Sequence, residues 1–379
     1  MSLRVFIAGG GTGGHVYPAL AVVDGLRKRD PQAVFMWIGN PNRIEARVIP
    51  GEGIEFRPVL LRGFRRRLDP KSFIQNIGTV YYAAMAMRKA RKIISDFKPD
   101  VAIGTGGYIS GPPIAQAAKM DIPTALIEPN TYPGLTVRWL AKRVDRIFLG
   151  DEIAMKELPD EKCIVTGTPV SSEIISATRP EGIHAYGLLA GKPCMLIVGG
   201  SQGAENINCA ILEFIHIAHA EEKQLLTNTQ ILHQTGGKGP LGLDGIRLEY
   251  PEADYVKVSY IDRMPLALAA ADIIISRAGA ATLSEIKARG IPSVLIPYPY
   301  AAEGHQLKNA KAMEAAGASI VIEDKHLNGR KLFDTIIPLL RDKGRMESMG
   351  VKAKAMYRPD CVERICDEIQ KLAASKKID

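Results

Sequence analysis

Short apolar runs recur along the chain, separated by segments in which apolar residues repeat at helical spacing. An apolar run bounded by turn residues is typical of a strand that is buried on both faces. We predict strands at residues 3–8, 34–39, 54–59, 100–103, 124–127, 146–150, 163–170, 194–198, 230–234, 254–258, 272–276, 293–297 and 318–322. Helical segments alternate with these strands, and such alternation is typical of parallel sheets.

The pattern begins twice. A buried strand at Leu3–Ala8 leads into one glycine-rich run, and a strand at Cys194–Val198 leads into another. At 379 residues the chain also exceeds the usual size of a single core. We therefore predict an α/β fold of two Rossmann-like domains whose parallel sheets face each other across a cleft. The predicted domains are residues 1–168 and 169–357, with a final helical segment, 358–379, that packs back on the first domain.

The first glycine-rich run, Gly9–His15, lies between a strand and a helix. Pro18 predicts the first turn of that helix, because proline is favoured there. Gly104–Tyr108 repeats the device, and Pro112 predicts the next helix start. Glycine lets backbone N–H groups close on a phosphate, and the helix dipole adds about half a positive charge. An anion site is one interpretation of these runs, and tight packing of strand against helix is the other.

The formal net charge of +8 favours an anionic partner such as nucleic acid, anionic lipid or a phosphorylated substrate. A solvated basic face is the alternative. The five cysteines form no C-x-x-C pair and no zinc spacing, which indicates reduced thiols. Met1–Ala8 leads directly into the first glycine run, so we expect no signal peptide. No apolar run reaches the about 18 residues of a membrane span, so we expect any membrane contact to be peripheral.

A basic cluster precedes a helical segment with an apolar stripe. Arg65, Arg66 and Arg67 form the cluster, and Phe73 and Ile77 begin the stripe. Apolar side chains flanked by arginines can hold a protein on an anionic bilayer. Core packing is the alternative for the stripe as a whole. We predict that these five side chains contact a membrane surface.

Two later segments carry groups suited to a nucleotide sugar. Glu285 falls about one turn into the helix after Ser276–Gly279, where its carboxylate can accept hydrogen bonds from both hydroxyls of a ribose. An ordinary acid near a helix start is the alternative. Pro297–Gln306 follows a strand and holds donors and acceptors that suit sugar hydroxyls, with a solvated loop as the alternative.

The chain contains no Asp-x-Asp pair. An enzyme that handles a nucleotide diphosphate without such an acidic clamp must neutralise the leaving group with helix N-termini and cations. We therefore expect a transfer that needs no metal ion and no cofactor. A dehydrogenase fits less well, because the first run is not G-x-G-x-x-G and Gly39–Pro41 stands where an acid would end the second strand.

Six groups of residues occur in an order that is highly specific. They are Gly10–His15 with Pro18–Ala21, Gly104–Tyr108 with Ser110–Pro112, Glu128–Asn130 with Gly134–Leu135, Gly199–Ala204 with Asn208, Arg277–Gly279 with Thr282–Glu285, and Gln306 with Asn309–Ala310. Over essentially the whole chain, these motifs resemble those of the MurG family of peptidoglycan N-acetylglucosaminyltransferases.

The resemblance implies a GT-B fold, with the lipid acceptor on the N-terminal domain and the UDP-sugar on the C-terminal domain. It implies inverting transfer of N-acetylglucosamine from UDP-GlcNAc to the 4-hydroxyl of the muramoyl sugar of lipid I, which gives lipid II for peptidoglycan synthesis. The implied location is the cytoplasmic face of the bacterial cell membrane, with the protein held peripherally on its anionic surface. No nucleic acid partner is implied, and other cell-wall synthesis proteins are compatible partners.

The resemblance also assigns residues. His15 is our first candidate for the general base, because an unperturbed imidazole titrates near neutrality, and Glu128 is the second. Gly106, Gly107 and Tyr108 are assigned to the acceptor. The residues assigned to UDP-GlcNAc are Thr12, Gly13, Gly14, Asn130, Ser171, Ser201, Gln202, Ile261, Ala280, Ala281, Thr282, Leu283, Ser284, Glu285, His305 and Gln306.

Two of these positions depart from the family pattern. Ser171 stands where an arginine is common, and His305 stands where some members carry glutamine. Three other functions stay open at this point. They are a related transferase with a diacylglycerol acceptor, a UDP-GlcNAc 2-epimerase, and a nucleotide-sugar binding protein without catalysis.

Overall fold

A computed structural model of the protein describes residues 2–63, 70–200, 202–237 and 254–375, without the side chains of residues 70–77 and 80. The chain divides into two compact units. The first comprises Met1–Ser171 together with Arg358–Asp379, and the second comprises Ser172–Tyr357.

The first unit is built on a seven-stranded sheet in the order β3-β2-β1-β4-β5-β6-β7, and each neighbouring pair is parallel. The strands are β1 (Arg4–Ala8), β2 (Val34–Gly39), β3 (Glu55–Pro58), β4 (Val101–Gly104), β5 (Thr124–Glu128), β6 (Arg146–Leu149) and β7 (Cys163–Val165). The helices are α1 (Gly13–Arg29), α2 (Glu45–Gly51), α3 (Pro70–Phe97), α4 (Gly107–Lys119) and α5 (Leu135–Leu140), followed by short 3₁₀ turns at Glu152–Glu157 and Asp160–Lys162.

The second unit contains a six-stranded parallel sheet in the order β10-β9-β8-β11-β12-β13. Its strands are β8 (Cys194–Val198), β9 (Gln230–Gln234), β10 (Asp254–Val258), β11 (Ile273–Ser276), β12 (Ser293–Leu295) and β13 (Ser319–Val321). Its helices are α6 (Ser172–Ser176), α7 (Arg179–Ala185), α8 (Glu205–Glu221), α9 (Lys223–Thr227), α10 (Met264–Ala270), α11 (Ala280–Arg289), α12 (His305–Ala315), α13 (Gly329–Arg341) and α14 (Lys343–Ala355), with 3₁₀ turns at Ala302–Gly304 and Asp324–His326.

The predicted parallel sheets are confirmed. Most of their strands are buried on both faces, which explains why continuous apolar runs predicted them. Successive residues of a strand point to opposite faces. Phe6 and Ala8 of β1 therefore enter one apolar cluster, whereas Val5 and Ile7 enter another on the opposite face. Both faces of this sheet are covered, which is the usual setting of an all-parallel sheet.

The last helix, α15 (Cys361–Ser375), packs on the first unit against α1. Gly25 of α1 permits this close approach, since a Cβ atom there would lie 2.6 Å from Cγ1 of Val362 and 2.9 Å from Sγ of Cys366. The helix contributes apolar side chains to the cluster that contains Val5 and Ile7. The first unit is therefore completed by residues from the far end of the chain.

Two predicted helix starts are wrong in the same way. α1 begins at Gly13, so Pro18 is its sixth residue, and α4 begins at Gly107, so Pro112 is its sixth. Each proline lacks an N–H, which leaves the carbonyl of the residue four positions earlier without its usual helical donor. The helices begin earlier because glycines at these strand ends adopt positive φ values, +146° and +88° at Gly10 and Gly11 before α1 and +81° and +68° at Gly106 and Gly107 at the start of α4. Such values allow the chain to turn into a helix soon after the strand.

Across the described residues, we find no helix that has both the length and the apolar character needed to cross a bilayer. All five cysteines are free thiols.

Candidate active site

Three loops meet at one edge of the first sheet. β1, β4 and β5 are neighbours in the sheet, and parallel strands end at the same edge. The glycine run after β1, the Gly106–Tyr108 turn after β4 and the Glu128–Asn130 segment after β5 therefore lie side by side. This edge gathers most of the residues that the sequence assigned to the first domain.

His15 is the third residue of α1, and its ring packs against the second glycine turn. A Cβ atom on Gly106 would lie 3.1 Å from both Nδ1 and Cε1 of the imidazole, and one on Gly107 would lie 3.2 Å from Cδ2. A side chain at either position would displace the ring. The structure thus brings together the predicted base and two predicted acceptor residues.

Two of the glycines that precede His15 pack closely against an acidic side chain of the same unit. A Cβ atom on Gly10 would lie 2.2 Å from Cδ of Glu45, and the N–H of Gly11 donates to Oε2 of Glu45 at 2.8 Å. The N–H of Asn40 donates to Oε1 of the same carboxylate at 2.9 Å. A buried carboxylate of the chain itself therefore occupies the N–H of Gly11.

Sequence reasoning missed Glu45, because little in the surrounding sequence indicates that its carboxylate is buried against the glycine run. It is the first residue of α2 and is fully buried. The residues directly after the second strand, Gly39–Pro41, contain no acid, whereas the acid that contacts the glycine run follows four residues later.

Thr12, Gly13 and Gly14 occupy the start of α1. Thr12 is exposed and takes the N-cap position without a side-chain capping hydrogen bond. The two glycines are half-buried, and a Cβ atom on Gly13 would lie 3.0 Å from the ring of Tyr17. These three residues therefore present mostly backbone at the edge beside His15.

Glu128 ends β5 with a buried carboxylate that holds its own loop. Oε1 accepts hydrogen bonds from the backbone N–H of Asn130 at 3.0 Å and from its side-chain amide at 2.7 Å. Oε2 accepts from the N–H of Gly134, the residue before α5, at 2.8 Å. Oε1 thus positions Asn130 and Oε2 holds Gly134, so both oxygens are engaged within this loop, which favours His15 over Glu128 as the base.

A cavity of about 550 Å³ lies at the carboxyl edge of the second sheet. Its walls come from the loops after β8, β11, β12 and β13 and from the first turns of α8 and α11. Gln202, Thr282 and Gln306 line it, as predicted residues of the donor site. Ser201 lies outside the described residues.

Close backbone contacts shape the glycine loop of this cavity. Gly203 has a φ of +76°, and a Cβ atom there would lie 2.2 Å from the carbonyl oxygen of Thr235. The side-chain amide of Gln234 donates to the carbonyl of Gly200 at 2.7 Å. The side-chain amide of Asn208 donates to the carbonyl of Thr235 at 2.9 Å. The loop is therefore held against the end of β9.

A buried histidine supports the same contact. His233 of β9 lies 3.1 Å from Oδ1 of Asn208 through Nε2 and 2.8 Å from the hydroxyl of Tyr255 through Nδ1. Burial lowers the pKa of His233 to about 4. The imidazole is therefore neutral at physiological pH and can donate on one side and accept on the other.

Arg277 is the only cation among the described residues that line this cavity. It pairs with Asp324 and also donates to the carbonyl of Ile296 at 3.2 Å. Asp324 in turn accepts from the side-chain amide of Asn206 at 2.7 Å. Sequence reasoning missed both residues. The only features that could have indicated them are the position of Asp324 after a strand and that of Asn206 in the first turn of a helix. Since Arg277 is already paired, the helix N-termini are the better candidates for binding a diphosphate.

Gln306 is held in one orientation by its side-chain carbonyl. This oxygen accepts from the N–H of Tyr298 at 2.9 Å and from that of Ala278 at 3.2 Å. The amide nitrogen has no partner among the described residues and can donate to a ligand. Nearby, Nε2 of His305 lies 3.8 Å from the carboxylate of Glu303. Glu303 has an unusual φ of +53° for a residue other than glycine.

Glu285 is the sixth residue of α11 and is half-buried. Burial raises the pKa of its carboxyl group to about 7. No hydrogen bond or ion pair joins it to another residue in the described part of the chain. A half-buried carboxyl group without a partner is suited to accept hydrogen bonds from a ligand.

The other predicted donor residues divide between the first turn of α11 and the core. Ala280 and Ala281 are half-buried in that turn, whereas Leu283 and Ser284 are buried, and the hydroxyl of Ser284 donates to the carbonyl of Ala280. Ile261 is buried in the loop after β10. Ser171 is half-buried at the end of the first unit's main segment. Arg65, Arg66 and Arg67 lie outside the described residues, as do the side chains of Phe73 and Ile77.

Within the described ranges, no group of three or more His, Cys, Asp or Glu side chains is arranged to hold a metal ion.

Comparison with known proteins places the chain in a family. Residues 5–149 match the glycosyltransferase family 28 N-terminal domain, and residues 194–365 match the C-terminal domain of the same family. The UDP-N-acetylglucosamine–N-acetylmuramyl-(pentapeptide) pyrophosphoryl-undecaprenol N-acetylglucosamine transferase of Listeria monocytogenes is 39% identical over 368 residues, which are 97% of this chain and 99% of that protein.

Solved structures agree with the fold. The crystal structure of Acinetobacter baumannii MurG superposes with a TM-score of 0.73 at 25% identity, covering 98% of this chain and 100% of that one. The structure of the UDP-GlcNAc 2-epimerase from Neisseria meningitidis, bound to UDP-GlcNAc, superposes with a TM-score of 0.66 at 14% identity. The superposition covers 98% of this chain and 100% of that one. Its similarity therefore concerns the fold alone. The chain has the GT-B fold and belongs to glycosyltransferase family 28 and, within it, to the MurG family.

Proposed function

We propose that this protein transfers N-acetylglucosamine from UDP-GlcNAc to the 4-hydroxyl of the muramoyl sugar of lipid I and so forms lipid II for peptidoglycan synthesis. The observation that carries the proposal is the cavity of the second unit, where a glycine loop and two helix N-termini surround a space of about 550 Å³. Such a space suits a nucleotide sugar. The near full-length similarity to transferases named for this reaction supports the choice of substrates.

The donor is bound by groups with distinct tasks. The N-termini of α8 and α11 receive the diphosphate, since their backbone N–H groups and dipoles favour negative charge. The first turn of α11 contains no acid, whereas that of α8 contains Glu205, so α11 is the stronger of the two candidates. Glu285 accepts hydrogen bonds from the ribose hydroxyls, Ile261 contacts the uracil, and the amide nitrogen of Gln306 donates to the sugar. Ser201 and Gln202 contact the diphosphate from the glycine loop.

The acceptor is bound at the edge of the first sheet, where His15 acts as the general base. Its imidazole accepts the proton of the acceptor 4-hydroxyl while that oxygen bonds to the anomeric carbon of the donor. The bond from that carbon to the UDP oxygen breaks, and its electron pair leaves with UDP. Attack from the side opposite to UDP inverts the anomeric carbon. Asn130, positioned by Glu128, and the backbone of Thr12–Gly14 orient the reacting sugars.

The decisive test supplies purified protein with UDP-GlcNAc and lipid I and identifies the products by mass. We expect UDP and a lipid that is heavier by one N-acetylglucosamine unit, formed only when both substrates are present. Conversion of UDP-GlcNAc without acceptor would favour the epimerase, and transfer to diacylglycerol would favour the related transferase. Tight UDP binding without turnover would favour a binding protein. Any of these three results would contradict the proposal.

We also propose that the first unit holds the protein on the anionic cytoplasmic surface of the cell membrane. The predicted residues Arg65, Arg66, Arg67, Phe73 and Ile77 remain the first candidates for this contact. α5 adds an exposed apolar pair, Leu135 and Trp139, whose accessible fractions are 54% and 49%. The guanidinium of Arg143 stacks on the Trp139 ring at 4.8 Å. Exposed tryptophan beside arginine suits the interface between lipid headgroups and water.

The membrane proposal is tested by sedimentation with vesicles that contain anionic phospholipid. We expect binding to fall with rising salt, and to fall further when Arg65, Arg66 and Arg67 are neutralised or Trp139 is replaced by alanine. Val351→Ala, which removes an exposed apolar side chain from the second unit, serves as the control. Binding that ignores both salt and these substitutions would contradict the membrane contact.

A further inference from the structure

A second cavity, of about 460 Å³, lies within the first unit beside the edge that holds His15. We propose that it binds the diphosphate group of the lipid acceptor. The inference rests on the proposed function, because it assigns a subsite to that acceptor. The cavity is walled by the loop after β2, the loop after β3 and Tyr108 of α4.

The charge of the cavity suits a diphosphate. Arg43 and Arg62 line it, and none of its lining residues is acidic. The guanidinium of Arg62 stacks over the Tyr82 ring at 4.5 Å. Neither guanidinium forms an ion pair with another described residue. Two such groups can each donate a pair of hydrogen bonds to phosphate oxygens, which is the geometry that arginine matches best.

The two loops that carry these arginines are joined at their base. Asn40 is buried, and its side-chain amide donates to the carbonyl of Leu61 at 2.7 Å. The side-chain carbonyl of Asn40 accepts from the N–H of Asn42 at 3.1 Å. The N–H of Val59 also donates to the carbonyl of Gly39 at 2.8 Å. Arg43 and Arg62 therefore extend from a framework that is in place before a ligand arrives.

The same framework reaches the proposed base. The carboxylate of Glu45 binds the N–H of Asn40 on one side and the N–H of Gly11 on the other. Tyr108, which lines the cavity, directly follows Gly107, which contacts His15. A Cβ atom on Gly63 would lie 3.4 Å from the Tyr108 ring, so the second arginine loop also rests on this residue. In the acceptor, the diphosphate and the reacting hydroxyl are attached to the same sugar ring, which suits two neighbouring subsites.

A phosphate on a membrane phospholipid has the same chemistry as the acceptor diphosphate, so the test must separate the two sources. We would measure transfer with lipid I in dodecyl maltoside micelles, which contain no anionic phospholipid, for Arg43→Gln, Arg62→Gln and the double variant. Arg91→Gln is the matched control, because it removes an exposed arginine of α3 that does not line the cavity. Binding of farnesyl diphosphate in the same micelles, with farnesyl monophosphate beside it, provides a readout that does not require turnover.

We expect each single variant to raise the acceptor KM about tenfold and the double variant about a hundredfold, since each loses charge-assisted hydrogen bonds. The donor KM and kcat should stay within about twofold of wild type, and Arg91→Gln should behave as wild type. Farnesyl diphosphate should bind more tightly than the monophosphate to the wild type, and this preference should vanish in the double variant.

An acceptor KM that is unchanged in both single variants would overturn the inference. A loss of binding to anionic vesicles with an unchanged KM in micelles would also overturn it, because it would assign the arginines to phospholipid headgroups. If the wild type transfers no sugar to lipid I, the proposed function fails, and the preference for farnesyl diphosphate still decides whether the cavity binds a diphosphate.

Discussion

The imidazole of His15 packs where two glycines lack side chains, and this explains why the motif after β1 and the motif after β4 occur together. Gly106 and Gly107 would each place a Cβ atom within about 3.2 Å of the ring. The histidine was readable from the sequence as a candidate base, because its residue type and its place on a glycine turn suffice for that hypothesis. Its contact with a turn some ninety residues away was not.

Replacing His15 with alanine tests the base directly. We expect kcat to fall by a factor on the order of 100 to 10,000, because a general base contributes about that much to a proton transfer. UDP binding should be unchanged, since the cavity proposed for the donor belongs to the other unit. His184→Ala, which removes an exposed histidine of α7, is the control. A folded His15→Ala variant with nearly wild-type kcat would refute the assignment.

We expect Glu285 to make donor binding depend on pH. Its pKa is raised to about 7 by burial, whereas its carboxylate form is the better acceptor for ribose hydroxyls. We expect the affinity for UDP to rise as the pH increases from 6 to 8, and to exceed that for the deoxyribose analogue. Glu285→Gln should bind UDP more weakly and lose this pH dependence. Glu205→Gln, which removes an exposed carboxylate from the cavity wall, should keep it.

Whereas UDP affinity should rise with pH, the stability of the free protein should fall. Between about pH 4.5 and 7 the folded state holds a proton on Glu285 that the unfolded state has released, so the free energy of unfolding falls as pH rises. The full effect is about 3 kcal/mol. Thermal unfolding should therefore show Glu285→Gln gaining stability relative to wild type between pH 5 and 8. A constant difference over that range would contradict the raised pKa.

Among whole elements, the glycine loop after β8 shows why one glycine tolerates change better than another. Gly200 and Gly203 both have positive φ values, of +93° and +76°. A Cβ atom on Gly200 would meet nothing within 4 Å, whereas one on Gly203 would collide with the carbonyl of Thr235. Both share the backbone strain of a left-handed residue, but only Gly203 adds a collision.

This difference predicts unequal effects of alanine at the two positions. Gly200→Ala should cost about 1 to 2 kcal/mol of stability through backbone strain. Gly203→Ala should cost more and should also weaken UDP binding, because the loop must move away from the end of β9. Calorimetry of both variants, with UDP titration, provides the comparison. Equal losses in the two variants would show that the contact with Thr235 is not what holds the loop.

The helices α1 and α4 show where reading an element from its sequence fails. The favoured place of proline in a first turn put both starts at Pro18 and Pro112, whereas the helices begin at Gly13 and Gly107. Strands were predicted far better, because burial on both faces leaves a continuous apolar run. The starts of these helices depend on the backbone conformation of glycines. Because glycine can adopt many conformations, its presence in the sequence does not indicate which one it takes.

For the protein as a whole, α15 joins the end of the chain to its beginning. Cys361, Ile365, Cys366, Ile369 and Ala373 are buried in the first unit. Burial also raises the pKa of the Cys361 thiol to about 12 and that of Cys366 to about 11. These thiols should therefore be unreactive until the first unit unfolds.

Truncation after Tyr357 should destabilise the first unit by on the order of 5 to 10 kcal/mol, which is comparable to the whole stability of a domain. We expect the truncated chain to lose the unfolding transition of the first unit and to aggregate. Calorimetry measures the unfolding of the first unit in both chains. The reaction of the wild-type protein with a thiol reagent shows whether Cys361 and Cys366 stay protected while that unit is folded. A stable first unit in the shorter chain would contradict the role of α15.

The sequence alone determined the strands, the parallel arrangement, the repetition of the fold and most of the residues at the sheet edges. Buried strands and glycine turns each have a local sequence pattern, so they can be predicted from their own segments. The tertiary structure alone decided that Glu45 occupies the first glycine run, that Asp324 pairs with Arg277, and that Arg43 and Arg62 share one cavity. Each of these contacts joins residues from different loops. Which loops meet depends on strand order and on the packing of helices across the sheet, and neither is written in the spacing of residues along the chain.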